Sequence, residues 1–376
     1  MKVELDDLGF QRSPGRSVIR GISISIASGE RCAIIGRSGA GKTTLLRLIA
    51  GLDRPTSGTI RFDGRDVSAL PPHLRGVSLA FQNPALLPHA TVREHLELGL
   101  RASVDRSEPS RLFTLLVDRL ELGDLLDRRP AELSGGQRTR AALGRTLASR
   151  RRLVMLDEPF QALDAPARVA LREILVDLVT ALGQTLLVVT HDLADAAALG
   201  SRSMIIDGGA LIQVGPTQEL VEDPNSSIVL EMLSSRPWSR IPLIVESDSA
   251  RTSARAIDPS HRGIAGLDRV EFHSSWSGRR VVLAIPPELR AADESRSPEL
   301  RIPGEIERIE GIGFETRGVI RFGSTSLRVA PNRESRDREM RVDWAIPISE
   351  CRWFDDSTGR RCRPESPFDL DAAHAN

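Results

Sequence analysis

One stretch constrains this chain more than any other: Gly36-Arg37-Ser38-Gly39-Ala40-Gly41-Lys42-Thr43. It fits the pattern G-x-x-x-x-G-K-[ST], follows the apolar run RCAIIG and precedes the helical pattern TTLLRLIAGL. A strand feeding a helix through such a loop is the context in which this pattern binds phosphate. The glycines let successive backbone N–H groups curl round an anion, and the start of the next helix adds positive potential. Lys42 is placed to neutralise β- and γ-phosphates, and the Thr43 hydroxyl to ligate Mg²⁺. Composition sharpens the case for Lys42. Lys2 and Lys42 are the lysines of this chain, and every other basic residue is arginine. A compact ammonium is kept where a planar fork would serve less well.

The remainder of the composition mainly excludes. With 376 residues the chain is long enough for two domains, and 40% hydrophobic content supports buried cores in both. Lys+Arg and Asp+Glu both total 51, so no net field favours nucleic acid or anionic lipid. Cys32, Cys351 and Cys362 show no CxxC spacing, which argues against a disulfide framework or zinc site and fits a reducing compartment. No apolar run approaches the roughly 18 residues of a membrane span, and MKVELDDLGF has no signal-peptide core.

Up to about residue 235 the pattern is α/β. Apolar runs (RCAIIG, RRLVMLDEP, TLLVVTH) alternate with helical periodicity, as in a parallel sheet covered by helices. The front differs: residues 3–10, SVIRGISISIAS and GTIRFDG read as antiparallel strands. Residues 91–130 read as a helical insertion, and Asp207-Gly208-Gly209 as a hairpin turn.

Further groups carry chemistry. RLVMLDE is an apolar strand ending in Asp157 and Glu158, the first placed to hold Mg²⁺ and the second to act as general base on a water. Leu133-Ser134-Gly135-Gly136-Gln137 opens an amphipathic helix, with Ser134 as N-cap and two glycines that keep side chains off the first turn, a second anion site.

With these motifs the chain resembles the nucleotide-binding subunits of ATP-binding-cassette (ABC) transporters over about residues 1–235. The loop 36–43, LSGGQ at 133–137, Asp157-Glu158, Gln82 in LAFQNPALLPHATVREHL, Ala162-Leu163-Asp164, and His191 after TLLVVT occur in the family's order and spacing. The resemblance implies a P-loop NTPase core with an N-terminal antiparallel β-subdomain and a helical insertion. It implies ATP and Mg²⁺ as cofactors, with residues 36–43 and Thr44 around the phosphates and Thr43, Gln82 and Asp157 around the metal. It implies a head-to-tail dimer of two copies, each ATP lying between the phosphate loop of one and Ser134, Gly135, Gly136 and Gln137 of the other. In that scheme Glu158, His191 and Gln82 are catalytic, His191 sensing the γ-phosphate and Gln82 linking the site to the membrane partner, while Asp164 contacts the other copy. Two departures stand out. Where the family usually stacks adenine on an aromatic near residues 11–13, this chain has Gln11-Arg12-Ser13, with Phe10 nearby as a core or stacking residue. Gln161 stands where a small residue such as Ser is usual.

FQNPALLPHATVREHLELGL and DEPFQALDAPAR resemble the ATPases of bacterial importers for inorganic ions, thiamine, polyamines or sugars. These commonly carry a C-terminal regulatory small-barrel (TOBE or OB-like) domain, and residues 238–360 match it in size and strand content. The composition shifts near Arg236-Pro237, with PLIVESDSARTSARAIDPSHR read as a linker or edge. VEFHSSW-SG-RRVVLAIPP and GVIRFGSTSLRVAP read as hairpins of the barrel, and residues 361–376 as a flexible tail. The resemblance then implies an ATPase on the cytoplasmic face of the inner membrane, partnered by permease subunits, indirectly by an extracytoplasmic solute-binding protein, and by no nucleic acid. The alternative is a soluble ABC ATPase uncoupled from a permease. Such proteins tend to have two cassettes in one chain or long coiled-coil insertions, and neither is visible. No residue need encode the solute, because the ATPase does not touch it in this family.

Overall fold

The computed structural model describes residues 1–103, 108–234, 238–247, 252–258, 261, 264–267, 270–286, 290–291, 299–304, 306–312, 315–322, 325–329 and 342–364. The chain divides after Asp223 into two compact units.

The first unit begins with β1 (Val3–Ser13), β2 (Arg16–Ile26), β3 (Arg31–Ile35), α1 (Lys42–Ala50), β4 (Ser57–Phe62), β5 (Arg65–Asp66), α2 (Pro72–Arg75) and β6 (Val77–Ala80). Helices α3 (Val92–Arg101), α4 (Pro109–Arg119) and α5 (Gly135–Ala148) follow. It ends with β7 (Leu153–Asp157), α6 (Ala165–Ala181), β8 (Thr185–Thr190), α7 (Leu193–Leu199), β9 (Arg202–Asp207), β10 (Ala210–Gly215) and α8 (Thr217–Glu222). One sheet, in order β2-β1-β4-β5, is antiparallel throughout. The other runs β10-β9-β3-β8-β7-β6, parallel except for β10 at its edge. Its central strands are buried on both faces, which is why RCAII, LVMLD and TLLVVT are nearly continuous apolar runs. The two sheets share a core through Val3, Leu5, Leu8, Ile22 and Ile60 on one side and Ile34, Met155, Leu187 and Met204 on the other, with α1 between. Between residues 91 and 130 the described elements are α3, α4 and a 3₁₀ turn at Gly123–Leu125, with no strand among the described residues. Thr91 caps α3 reciprocally with Glu94: each side chain accepts the other residue's backbone N–H.

Sheet order decides where the functional residues go. β3, β8, β7 and β6 are consecutive and parallel, so their C-terminal ends lie along one edge. Ile35 pairs with Thr190, Asp157 with Val189, and Ala80 with Leu156. The residues that follow these strands, Gly36, His191, Glu158 and Gln82, therefore converge although as many as 155 positions separate them in the chain (36 to 191). Open parallel sheets place ligand sites at this edge.

In the second unit α9 (Ser227–Leu233) precedes β11 (Ser239–Ser247), β12 (Thr252–Ala256), β13 (Arg280–Ile285), β14 (Arg290–Ala291), β15 (Glu299–Gly304), β16 (Ile306–Ile312) and β17 (Glu315–Phe322). β18 (Thr325–Val329), β19 (Val342–Pro347), β20 (Arg352–Asp355) and β21 (Arg361–Cys362) complete it. The described strands form three antiparallel sheets, β12-β11-β13-β20-β21, β14-β19-β15 and β16-β17-β18, around an aromatic-rich core that includes Trp276, Trp344 and Trp353. Among the described residues these sheets are not joined into one closed barrel.

Three sequence expectations shift here. The boundary moves from 235–238 back to 223, because Leu230 of α9 packs on Ala284 and Phe354, and Ser227 N–H donates to the Gly359 carbonyl (2.8 Å). The stretch read as a linker or edge, residues 242–262, holds most of β11, which has strands on both sides and turns Ile241, Leu243 and Val245 inward, and all of β12, which is the edge strand of its sheet. The hairpin expected across VEFHSSW and RRVVLAI does not form. Its first arm ends in a 3₁₀ turn, Ser274–Trp276, and β13 pairs instead with β11 and β20. The hairpin of β17 and β18 is present, Gly318 facing Val329. Of the expected tail, Arg361 and Cys362 form β21; residues 365–376, like Arg236 and Pro237, lie outside the described residues.

Candidate active site

The loop between β3 and α1 is shaped by contacts that exclude side chains. A Cβ at Gly36 would stand 2.4 Å from the Ile206 carbonyl oxygen, and one at Gly209 would stand 2.2 Å from that of Val18. The Gly209 N–H donates to the Ala40 carbonyl (3.1 Å), and the Arg20 N–H to the Gly209 carbonyl (2.8 Å). The β9–β10 hairpin turn, legible in sequence only as a turn, thus props the phosphate loop from behind. Arg37, Ser38 and Gly39 are exposed at its tip, and Gly41, in the left-handed conformation (φ 101°), starts α1.

Lys42 is buried, and its Nζ donates to the carbonyls of Gly36 (2.7 Å) and Arg37 (3.0 Å). Burial lowers its pKa, against the opposing pull of Glu158 and Asp157. Asp157 is buried as well. Desolvation raises its pKa, opposed by the Thr43 side-chain hydrogen bond and by Lys42 and reinforced by Glu158. Lysine, threonine hydroxyl and two carboxylates are therefore grouped across β3, α1 and β7, with Thr44 half-buried beside them.

Glu158 adopts the left-handed region (φ 48°), unusual for a non-glycine residue. Its N–H still donates to the Val189 carbonyl (3.0 Å), so the strand ladder continues while the chain turns sharply. His191, at the end of β8, places Nδ1 2.9 Å from Glu158 Oε2. Gln82, after β6, donates from Nε2 to Oε1 of Gln161.

Ser134 and Gln137 form a reciprocal cap on α5. The Ser134 hydroxyl accepts the Gln137 N–H (3.2 Å), and Gln137 Oε1 accepts the Ser134 N–H (2.9 Å). A Cβ at Gly136 would meet Leu163 at 3.0 Å, and one at Gly135 would meet the Ala162 carbonyl oxygen at 3.5 Å. Asp164 caps α6 by accepting the Ala167 N–H (2.9 Å). The signature residues of α5 therefore stand at the far end of the turn that starts with Glu158. Phe10 pairs with Ile19 and packs on the core of this unit.

Some supporting residues had no sequence signal. Asp192 caps α7 through the N–H groups of Ala194 (2.7 Å) and Asp195 (3.1 Å) and accepts from Arg168 (2.8 Å). Arg172 bonds Asp195, which accepts from Thr190 (3.1 Å). Together they tie α6 and α7 behind His191. His95, buried, accepts the Leu87 N–H at Nε2 (2.8 Å) and donates from Nδ1 to the Thr91 carbonyl (2.7 Å), holding the segment after Gln82. In a chain whose basic residues are nearly all arginine, no spacing singles out Arg168 or Arg172.

A polyphosphate fits these features. A glycine-rich loop with no room for side chains at Gly36, a buried ammonium, and a desolvated carboxylate bonded to a hydroxyl fit a triphosphate with a hard oxygen-seeking cation. Residues 19–161 match the model of the ABC transporter family. An sn-glycerol-3-phosphate import ATP-binding protein of Rhizobium etli is 33% identical, covering 91% of this chain and 94% of its own. A maltose/maltodextrin import ATP-binding protein of Photobacterium profundum is 34% identical, covering 92% and 93%. A dimeric ATP-binding cassette in a post-hydrolysis state, bound to ADP and Pi, superposes with a TM-score of 0.52 at 28% identity, over 57% of this chain and 98% of its own. Among the described residues no helix is long and apolar enough to cross a membrane. This chain belongs to the ABC transporter family, as an ATP-hydrolysing subunit of importer type.

Proposed function

We propose that two copies of this chain pair head-to-tail on the cytoplasmic face of the inner membrane, bind Mg²⁺-ATP between them, and drive a permease that imports a small carbohydrate-like or polyol-phosphate solute. The solute class rests on the names of the relatives, which import sn-glycerol-3-phosphate and maltose or maltodextrin. The pairing rests on the dimeric cassette, bound to ADP and Pi, that this fold resembles. A solute-binding protein would deliver cargo to the permease and never meet this chain.

The observation that carries the catalytic reading is the convergence of Lys42, Thr43, Asp157, Glu158 and His191 on one sheet edge. Lys42 exchanges its two loop carbonyls for the β- and γ-phosphates, assisted by the N–H groups of residues 36–44. Thr43, Asp157 and Gln82 would hold Mg²⁺, which supplies screening of phosphate charge. Glu158 accepts a proton from the attacking water. His191 donates Nδ1–H to Glu158 Oε2, which aims the other carboxylate oxygen and leaves the far side of the imidazole toward the γ-phosphate. Ser134, Gly135, Gly136 and Gln137 of the other copy close the cage, and Asp164 lies along the same contact.

The test is Glu158→Gln, which keeps size and hydrogen bonding but cannot take the proton. Single-turnover hydrolysis should fall by about 10²- to 10⁴-fold while ATP still binds. Light scattering on this variant should show a dimer with ATP and monomer with ADP. Hydrolysis near the native rate would remove Glu158 from the mechanism, and a monomer in ATP would remove the pairing.

A further inference from the structure

Glu158 and His191 stand on separate supports. Glu158 heads the turn between β7 and α6, and His191 follows β8. The ladder between these two strands closes with the Glu158 N–H on the Val189 carbonyl (3.0 Å), short of His191. Packing does not fix the imidazole either, since the His191 side chain is 59% exposed. Its Nδ1 nonetheless lies 2.9 Å from Glu158 Oε2. That distance depends on how the two supports are held together.

One side chain bonds both. Arg168, near the start of α6, donates from Nη2 to the carbonyl of Phe160 (3.3 Å), inside the Glu158 turn. From Nη1 it donates to Oδ2 of Asp192 (2.8 Å), the neighbour of His191. Its own base is fixed: the Arg168 N–H donates to the Asp164 carbonyl (3.0 Å), and Asp164 caps α6 through the Ala167 N–H (2.9 Å). On the far side the Asp192 N–H donates to Thr190 Oγ1 (3.0 Å), which brackets His191 between two tied residues. The two carboxylate oxygens of Asp192 have separate tasks. Oδ1 accepts the Ala194 and Asp195 N–H groups and so caps α7, with Arg172 3.7 Å away, whereas Oδ2 accepts from Arg168. A planar guanidinium holds two acceptors in a fixed fork, which suits it to set a spacing.

We propose that Arg168 is a positioning residue for hydrolysis: it clamps the Glu158 turn to the His191 segment and so sets the Nδ1–Oε2 contact through which His191 orients Glu158. This role rests on the reading of His191 as the partner of Glu158 in the reaction. Arg168 acts on the reacting groups through the Phe160 carbonyl and Asp192, and it contributes nothing to phosphate binding.

Two substitutions in the full chain open the clamp from opposite ends. Arg168→Met keeps the apolar stem and removes both donations. Asp192→Asn keeps the helix cap, because the Ala194 and Asp195 N–H groups require an oxygen at Oδ1, and it therefore turns an amide N–H₂ toward Arg168. Each should lower saturated turnover about ten- to a hundredfold, and by no more than His191→Ala does. Affinity for a non-hydrolysable ATP analogue should stay within about twofold, and the two substitutions together should cost no more than either alone. In a His191→Ala background neither should lower turnover further. With ¹⁵N-labelled histidine at mildly alkaline pH, the His191 imidazole (assigned by the signal lost in His191→Ala) should be the Nδ1–H tautomer in the nucleotide-free parent and lose that preference in both variants. Four results would overturn the proposal: native turnover in either variant, a loss of analogue affinity that matches the loss of turnover, a further loss in the His191→Ala background, or an unchanged tautomer. If His191→Ala itself hydrolyses ATP at the native rate, the reading of His191 fails first, while the tautomer still decides whether Arg168 sets the contact.

Discussion

The two units treat their buried polar groups in opposite ways. In the first, Lys42 and Asp157 are buried at the sheet edge with ionisation governed above all by lost solvent, the lysine pushed down and the aspartate up. In the second, burial also pushes Asp355 up, but the hydroxyls and N–H groups of Ser357 and Thr358 more than offset this, and its pKa ends below the usual range. Cys351 and Cys362 simply stay protonated, both raised chiefly by burial. At Asp355 the donors of its own turn outweigh burial, whereas at Lys42 and Asp157 burial outweighs the neighbouring groups.

The sharpest way to break this comparison is to remove one charge from each unit. Lys42→Ala takes away the buried cation, and charge-assisted hydrogen bonds are typically worth about 1.5–3 kcal/mol, so ATP affinity should fall about ten- to a hundredfold. Asp355→Asn loosens the turn at residues 355–358 and should lower the melting temperature while leaving ATP affinity within about twofold. Equilibrium binding of a fluorescent ATP analogue measures both. Equal loss of affinity in the two variants would mean that the second unit takes part in nucleotide binding.

The same contrast governs what could be read from the sequence. In the first unit the motifs sit where strands end, and strand ends are legible because a doubly covered parallel strand must be an apolar run. Hence β3, β7 and β8 were readable, together with the residues that follow them. The props were not. Gly209 looked like any hairpin glycine, yet its contact with Ala40 depends on sheet order, which residue spacing does not reveal. His95 has no sequence signal, because nothing local shows that Leu87 folds back on it. In the second unit the strands are short and antiparallel, and their partners are set by long-range pairing. Residues 242–262 read as a linker or edge because their polar residues alternate with Leu243 and Val245 on a strand whose partners lie up to 46 positions on (Ser239 facing Ile285).

Alkaline titration offers a smaller effect with a predictable sign. The Cys351 thiol is pushed up to about 12, and Cys362 is raised as well; Cys32, in the first unit, is pushed up to about 12. A raised folded pKa means that the native state holds its proton while the unfolded chain releases it near pH 8.5. The stabilisation is therefore intact below about pH 8.5 and is lost as pH climbs toward 12, at up to about 1.4 kcal/mol per pH unit for each thiol. With two such thiols, the second unit should lose stability more steeply than the first between about pH 8.5 and 10.5. Cys351→Ala will lower stability at every pH through lost packing, so the readout is the slope, followed by thermal melts, and that slope should become shallower. An unchanged slope would mean that the thiol is solvated before the unit melts.

The smallest expected effect is the most direct test of the division itself. A chain ending at Asp223 retains β1 to α8, every residue placed around the phosphates and metal, and the Thr217 hydroxyl bonded to Ser203 (2.6 Å) that seats α8. It should fold and bind ATP within about twofold of the full chain, since no charge-assisted contact to the phosphates is removed. A chain ending at Leu233 is the informative partner. It adds α9, whose Val229, Leu230 and Leu233 are buried in the full chain, Leu230 against Ala284 and Phe354, and it leaves these side chains uncovered. Exposed together, three aliphatic side chains at helical spacing make an aggregation-prone stripe. Size-exclusion chromatography should therefore show the longer chain self-associating and the shorter one monomeric without nucleotide. If the chain ending at Asp223 is folded by circular dichroism yet no longer binds ATP, the second unit contributes to the site and the contrast between the units is wrong. If instead the chain ending at Leu233 is the better behaved of the two, α9 belongs with the first unit, and the boundary lies where the change in composition first placed it.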